Sequence, residues 1–192
     1  MNWNNMKLQV NRIVNYLITA KRPVVALLKD GLDVNVVEQL MKKILLDPPA
    51  DLIKLYECFN GTKIKAGDSL DDTHFFPGFY WLCLEDAIES YTSFIADNRW
   101  GKSWLPIFSN GGGDFYVVVC DKDSPIFGSV IGFMLGEDEH FIEFPNLSTM
   151  LCVIDECFAK GIYYVSDGFL DADYNAAMLV AKRFCPELEF YN

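Results

Sequence analysis

The sequence predicts an α+β fold: an antiparallel, meander-like sheet with N-terminal and C-terminal helices packed on it. Two patterns predict it. Apolar residues recur at helical spacing toward both ends of the chain, and strand-like runs joined by short turns fill much of the stretch between. Such strands pair antiparallel, because parallel neighbours need a crossover of a dozen or more residues. With 192 residues, 51% of them hydrophobic and 22% charged, the chain can bury its own core without a disulfide or metal staple.

The first helix carries Leu8, Val10, Ile13, Val14, Leu17 and Ile18 and ends before Pro23. An apolar run over 24–28 leads to a turn at Lys29-Asp30-Gly31. Asp33 is an N-cap for a second helix, with Val36, Val37, Leu40, Met41 and Ile44 inward. Asp47-Pro48-Pro49 closes that helix and opens a third, since proline is tolerated where the first N–H groups lack partners anyway. Leu52, Leu55, Tyr56 and Phe59 give the third helix its apolar face, and Asn60-Gly61 supplies its stop.

Residues 62–78 read as a long polar loop, 79–84 as a strand, and 85–97 as a helix with Ile88, Tyr91 and Ile95 inward. Strands follow at 104–109, 115–120, 126–135 and 140–144, separated by Asn110-Gly111-Gly112-Gly113-Asp114, by Asp121-Lys122-Asp123-Ser124-Pro125 and by Gly136-Glu137-Asp138-Glu139. A helix over 149–160, capped by Asn146 or Ser148, places Met150, Ile154, Cys157 and Phe158 in the core. A last helix covers 173–184, capped near Asp171.

Charge narrows the partners. Sixteen Lys and Arg face 27 Asp and Glu, a net charge of -11, and residues 97–192 hold -9 of it. No basic patch exists to release counterions from phosphates, which argues against nucleic acid and against anionic membranes. The acid serves solubility or forms a face for a basic ligand. No run reaches the ~18 apolar residues of a membrane helix, and the polar start has no apolar signal core. The six cysteines form no CxxC pair and sit among apolar neighbours, so they read as buried free thiols in a reducing cytoplasm.

Chemistry finds no foothold. The glycine string at 111–113 is followed by a strand and lacks Gly-Lys-Ser/Thr, so it is a hairpin turn rather than a phosphate loop. Asp114 is placed to hydrogen-bond turn N–H groups. Asp121-x-Asp123 fails as a calcium loop, because the sixth and twelfth positions hold Ile126 and Gly132. His74 and His140 stand in no spaced ligand set. The residues assign no catalytic group, metal ligand or cofactor. Trp81 and Trp104 are core candidates, whereas Trp3 and Trp100, near segment ends, are candidates for exposure.

Four segments in order carry a resemblance. Gly31-Leu32 precedes a helix around Val36-Val37-Glu38-Gln39-Leu40, and Pro48-Pro49-Ala50-Asp51-Leu52-Ile53-Lys54-Leu55-Tyr56 runs on to Asn60-Gly61. Trp104-Leu105-Pro106-Ile107 then leads to Gly113-Asp114, and Gly128-Ser129-Val130 starts a further strand. Over roughly residues 30–165 the chain resembles the SUKH superfamily, which includes the Smi/Knr-type cell wall assembly regulators. Asp47 before the first proline departs from the family's usual Leu. The resemblance divides the chain into a helical extension, 1–28, and a single SUKH-like α+β domain, 29–192.

The resemblance implies binding rather than catalysis. Bacterial members resemble immunity proteins that neutralise cognate toxins, many of them nucleases, and fungal members resemble regulatory scaffolds in cell-wall signalling. Asn60, Gly61, Trp104, Gly113 and Asp114 match family positions and have structural explanations. A nuclease must present Lys and Arg to phosphates, so an acidic surface can occupy its cleft. Asp121, Asp123, Glu137, Asp138 and Glu139 are the candidate contacts for such a basic toxin domain. A regulatory interaction module without a toxin is the second reading, and an enzyme of unrecognised type the third. The oligomeric state is left open.

Overall fold

The computed structural model describes residues 3–65 and 67–188, and the side chains of 3–5 lie outside that description, so the expectation for Trp3 does too. The helices are α1 (Trp3–Thr19), α2 (Val34–Lys43), α3 (Ala50–Cys58), α4 (Leu84–Phe94), α5 (Leu147–Ala159) and α6 (Tyr174–Phe184). The strands are β1 (Leu28–Asp30), β2 (Phe59–Thr62), β3 (Tyr80–Trp81), β4 (Trp104–Ser109), β5 (Phe115–Val119), β6 (Val130–Phe133), β7 (Phe141–Phe144), β8 (Tyr163–Ser166) and β9 (Phe169–Ala172). Strands β3 to β7 form a five-stranded antiparallel meander in sequence order. Two antiparallel pairs, β1–β2 and β8–β9, lie outside that sheet. The α+β arrangement matches the expectation.

Local chemistry starts the helices where the sequence places them, to within a few residues. Asp33 accepts the Asn35 N–H, Asn146 the Thr149 N–H at 2.8 Å, and Asp173, rather than Asp171, the Ala176 N–H at 3.0 Å. Proline at 49 occupies the cap of α3 and accepts from the Leu52 N–H. In α2 the buried pair is Val37 and Met41, one turn apart. Val36 lies about 100° around the helix from Val37 and is exposed.

Both faces of the main sheet are covered. Residues 115 and 116 point to opposite faces, as strand geometry requires. Phe115 meets Phe94, Trp100 and Phe133 on the side covered by α4. Tyr116 meets Phe76, Phe79 and Phe144 on the other. There Trp81, fully buried, packs against Tyr56 of α3, Phe75 and Phe108. Helix α1 packs on α3 and α5, and its Met6, Val10, Ile13 and Leu17 join the same core.

Several expectations are corrected. Phe59-Asn60-Gly61 is a strand rather than the end of a helix, because Phe59 and Thr62 pair with Asp30 and Leu28. Residues 126–129 are a turn before β6, with Gly128 at φ 82°. Helix α4 stops at Phe94, which leaves Ile95 exposed. Trp100 is buried, with its ring centroid 4.8 Å from that of Phe133. Leu8 and Ile18 of α1 are exposed. The hairpin β8–β9 has no counterpart among the expected elements; it turns on Asp167 and Gly168, at φ 50° and 88°.

One buried ion pair ties the outlying pieces together. Arg22, between α1 and a 3-10 turn at Pro23–Leu27, is 5% exposed. Its guanidinium meets the Asp71 carboxylate at 2.5 Å and donates to the carbonyls of Asp71 and Gly168. The second oxygen of Asp71 accepts the Leu170 N–H at 3.1 Å. Substituting Asp71→Asn leaves the Arg22 charge buried and unpaired, and should cost about 3 kcal/mol in urea unfolding. Lys122→Ala, which breaks an exposed pair with Asp47, should cost under about 0.5 kcal/mol. Equal effects from the two substitutions would contradict this assignment.

Candidate functional site

The candidate contact residues fall at two places. Strand β5 runs into a turn holding Asp121 and Asp123, and β6 returns from it antiparallel. The next turn, holding Glu137, Asp138 and Glu139, therefore lies at the opposite end of β6. The five carboxylates form two sites separated by the length of a strand, not one patch.

The first turn is locally closed and mixed in charge. Asp121, half-buried, accepts the Asp123 N–H at 3.0 Å, while Asp123 is exposed. Lys122 between them reaches Asp47 at 3.5 Å. Beside it lies a shallow depression lined by Glu38, Lys42, Asp47, Lys122 and Phe127, among others. Basic and acidic groups alternate there, so the field is weak.

The second turn differs. Glu137, Asp138 and Glu139 are exposed and form no ion pair among the described residues. Arg99 anchors the turn by donating to the Leu135 carbonyl at 2.6 Å, and Asp97 holds Arg99 in a bidentate grip. Hydrogen bonds from the Arg99 side chain hold the Asp97 carboxyl down at about 2. Asp114 arrives at the same end of the sheet through the β4–β5 turn. One of its oxygens accepts the Leu135 N–H at 2.9 Å and the other the Asn110 amide at 2.7 Å. Five acids and a single arginine thus gather at this end, against a solvated edge.

His140 comes next in the chain but is packed as an aromatic. Its ring lies 4.4 Å from Phe133, and its Nδ1 accepts the Met134 N–H at 3.4 Å. Burial and then Arg99 push its pKa below the ordinary histidine value. His74 is likewise held down by burial, with Asp71 3.4 Å away. Among the described residues no three His, Cys, Asp or Glu groups gather to hold a metal ion, and no helix is long and apolar enough to cross a membrane.

Other acids of the second half are already engaged. Asp155 pairs with Arg12 at 3.2 Å, and Glu156 pairs with Lys160 and Arg183. These bridges join α1, α5 and α6. The net charge of that half therefore overstates what is open to a partner.

The matching motif positions act as fasteners. Asn60 Oδ1 accepts the Leu84 N–H at 2.8 Å, capping α4 from 24 residues away, and its Nδ2 donates to Glu85. Gly61 sits at φ 65°, where a Cβ would lie 2.4 Å from the Cys83 nitrogen. Gly113, at φ 104°, leaves room for Leu135, 2.7 Å from where its Cβ would be. Trp104 is half-buried at the start of β4, and its carbonyl accepts from the Trp100 indole. Gly113 and Asp114 thus fix the position of the acidic turn, while Asn60 and Gly61 fix α4.

Burial pushes the Glu85 carboxyl up, but its own N–H, Asn60, Cys83 and Lys29 outweigh that and hold it at about 2. A depressed carboxyl adds stability that is present above its unfolded pKa and lost as pH falls through its folded one. The folded protein should lose this contribution between about pH 4.5 and 2. Glu85→Gln should flatten that limb of a stability-versus-pH curve, and an unchanged limb would contradict the assignment.

A family model described as SMI1 / KNR4 family (SUKH-1) matches residues 32–152, more than half the chain. No curated protein matches the chain.

Proposed function

On the premise that the chain belongs to the SMI1 / KNR4 family (SUKH-1), we propose that it is a non-catalytic, cytoplasmic immunity-type protein that blocks a basic toxin domain by binding it. Membership supports an immunity-protein or regulatory domain in general. The observation that carries the finer reading is the acidic end of the sheet, where Glu137, Asp138 and Glu139 stand exposed, without ion pairs among the described residues, beside Asp97 and Asp114. Opposite charge would speed encounter with a domain whose own cleft is built to hold phosphates, and would disfavour acidic partners.

The position of the turn also supports the reading. Arg99 and Asp114 hold the turn backbone, so its carboxylates point outward from a fixed base. Less order is then lost on binding than from a loose loop. The Asp121–Asp123 turn, interrupted by Lys122, is the weaker candidate for the first encounter. A nuclease-type toxin would be held off its substrate because the acidic edge occupies the phosphate track, with no chemical step needed.

The test needs a basic toxin domain as partner, and the C-terminal domain of any secreted protein encoded beside this chain is the one to try. Reversing Glu137, Asp138 and Glu139 to Lys should lower its association rate about tenfold or more at low salt. The difference should shrink as salt screens the exposed charges. Reversing Asp121 and Asp123 should have a smaller effect. An unchanged rate for the triple variant would overturn the assignment of that turn.

A further inference from the structure

One side of the main sheet ends in a groove of about 270 Å³ between β7, β8 and α6. Its walls are aromatic: Phe79, Tyr116, Phe141, Phe144, Tyr163 and Tyr174 all line it. Among the described residues that line it, Glu143 is the one charged group, with no Lys, Arg or His. The carboxylate fits because position 132 has no side chain. A Cβ on Gly132 would lie 2.0 Å from Glu143 Oε1. A glycine inside a strand often marks such a close approach.

Glu143 is half-buried and forms no ion pair among the described residues. Tyr116 lines the groove with it, and burial pushes the Glu143 pKa above the ordinary glutamate value. A carboxylate against rings is costly without a cation, and ring faces themselves attract cations. Tyr174, at the first turn of α6, is 66% exposed and leaves the groove open on that side. The acidic turn ending at Glu139 leads through His140 directly into Phe141 of the groove.

We propose that this groove receives a lysine side chain of the protein partner, with its ammonium on Glu143 and its methylene stem along the rings. Lysine fits better than arginine because Tyr116, paired with Gly132, crowds the carboxylate on one side, which favours a point charge over a two-pronged guanidinium. The chain's net charge of -11 complements a lysine-bearing surface. This inference rests on the reading of a basic protein partner and names where that partner is anchored.

The test needs no partner. The full chain is titrated with Nα-acetyl-lysine methylamide and, separately, with its norleucine analogue, which keeps the stem and lacks the ammonium. The lysine probe should give saturable NMR shifts at Ile142, Val153, Ala177 and Met178, with the norleucine probe about fivefold weaker or more. Glu143→Gln should weaken the lysine probe about tenfold. Tyr174→Ala, at a position 66% exposed, should weaken it about threefold. Equal response to both probes, or lysine shifts confined to 137–139, would overturn the proposal. A null result here leaves the charge-reversal result for that turn unaffected, and the converse holds, so the two ideas fail separately.

Discussion

A single row of residues crosses one face of the five-stranded sheet: Trp81, Phe108, Tyr116, Gly132 and Phe141, each paired with the next. Burying the Trp81 end of that row is the constraint on which the other packing turns. At the Trp81 end the row is filled, by Tyr56 from α3 and Phe75 from the loop before β3. At the Phe141 end it is interrupted by a glycine, and the space goes to a carboxylate and a groove. One face thus has two parts: a closed aromatic core where the helices join the sheet, and an open aromatic groove at the edge.

The pieces outside the matched segment are not loosely attached. Helix α1 contributes four buried residues to the common core. The Arg22–Asp71 pair joins the segment before the matched region to the hairpin after it, through a loop within it. That hairpin, together with α6, supplies Tyr163, Tyr174 and Met178 to the groove. The binding surface proposed for this protein is therefore shared between the matched segment and the hairpin and helix C-terminal to it. The acidic turn belongs to the former, and one wall of the groove to the latter.

Much of the fold could be read in the sequence because it is encoded locally. Asp33, Asn146 and Asp173 cap helices within three residues of themselves, and the strands of the meander announce themselves by turn residues between apolar runs. Features encoded at a distance escaped. Asn60 resembles a helix stop, but it caps a helix 24 residues on, and its strand pairs with residues near 30. Trp100 sits in a polar-looking segment and is buried only because the sheet returns over it. Two further features do carry a local signal: Asp167-Gly168 between Tyr-Tyr-Val and Phe-Leu is a hairpin turn, and Gly132 inside a strand marks a close approach. The acidic residues are visible as composition, but their division between two ends of a strand comes only from antiparallel pairing.

Partner binding is proposed at the acidic end of the sheet and the groove beside it. Hydrogen exchange of the protein alone and in complex with a basic toxin domain that binds it tests this most directly. New protection is predicted over residues 134–144 and at the start of α6, with exchange at 121–128 unchanged. Protection confined to 121–128 and α2, with residues 134–144 unaffected, would contradict it.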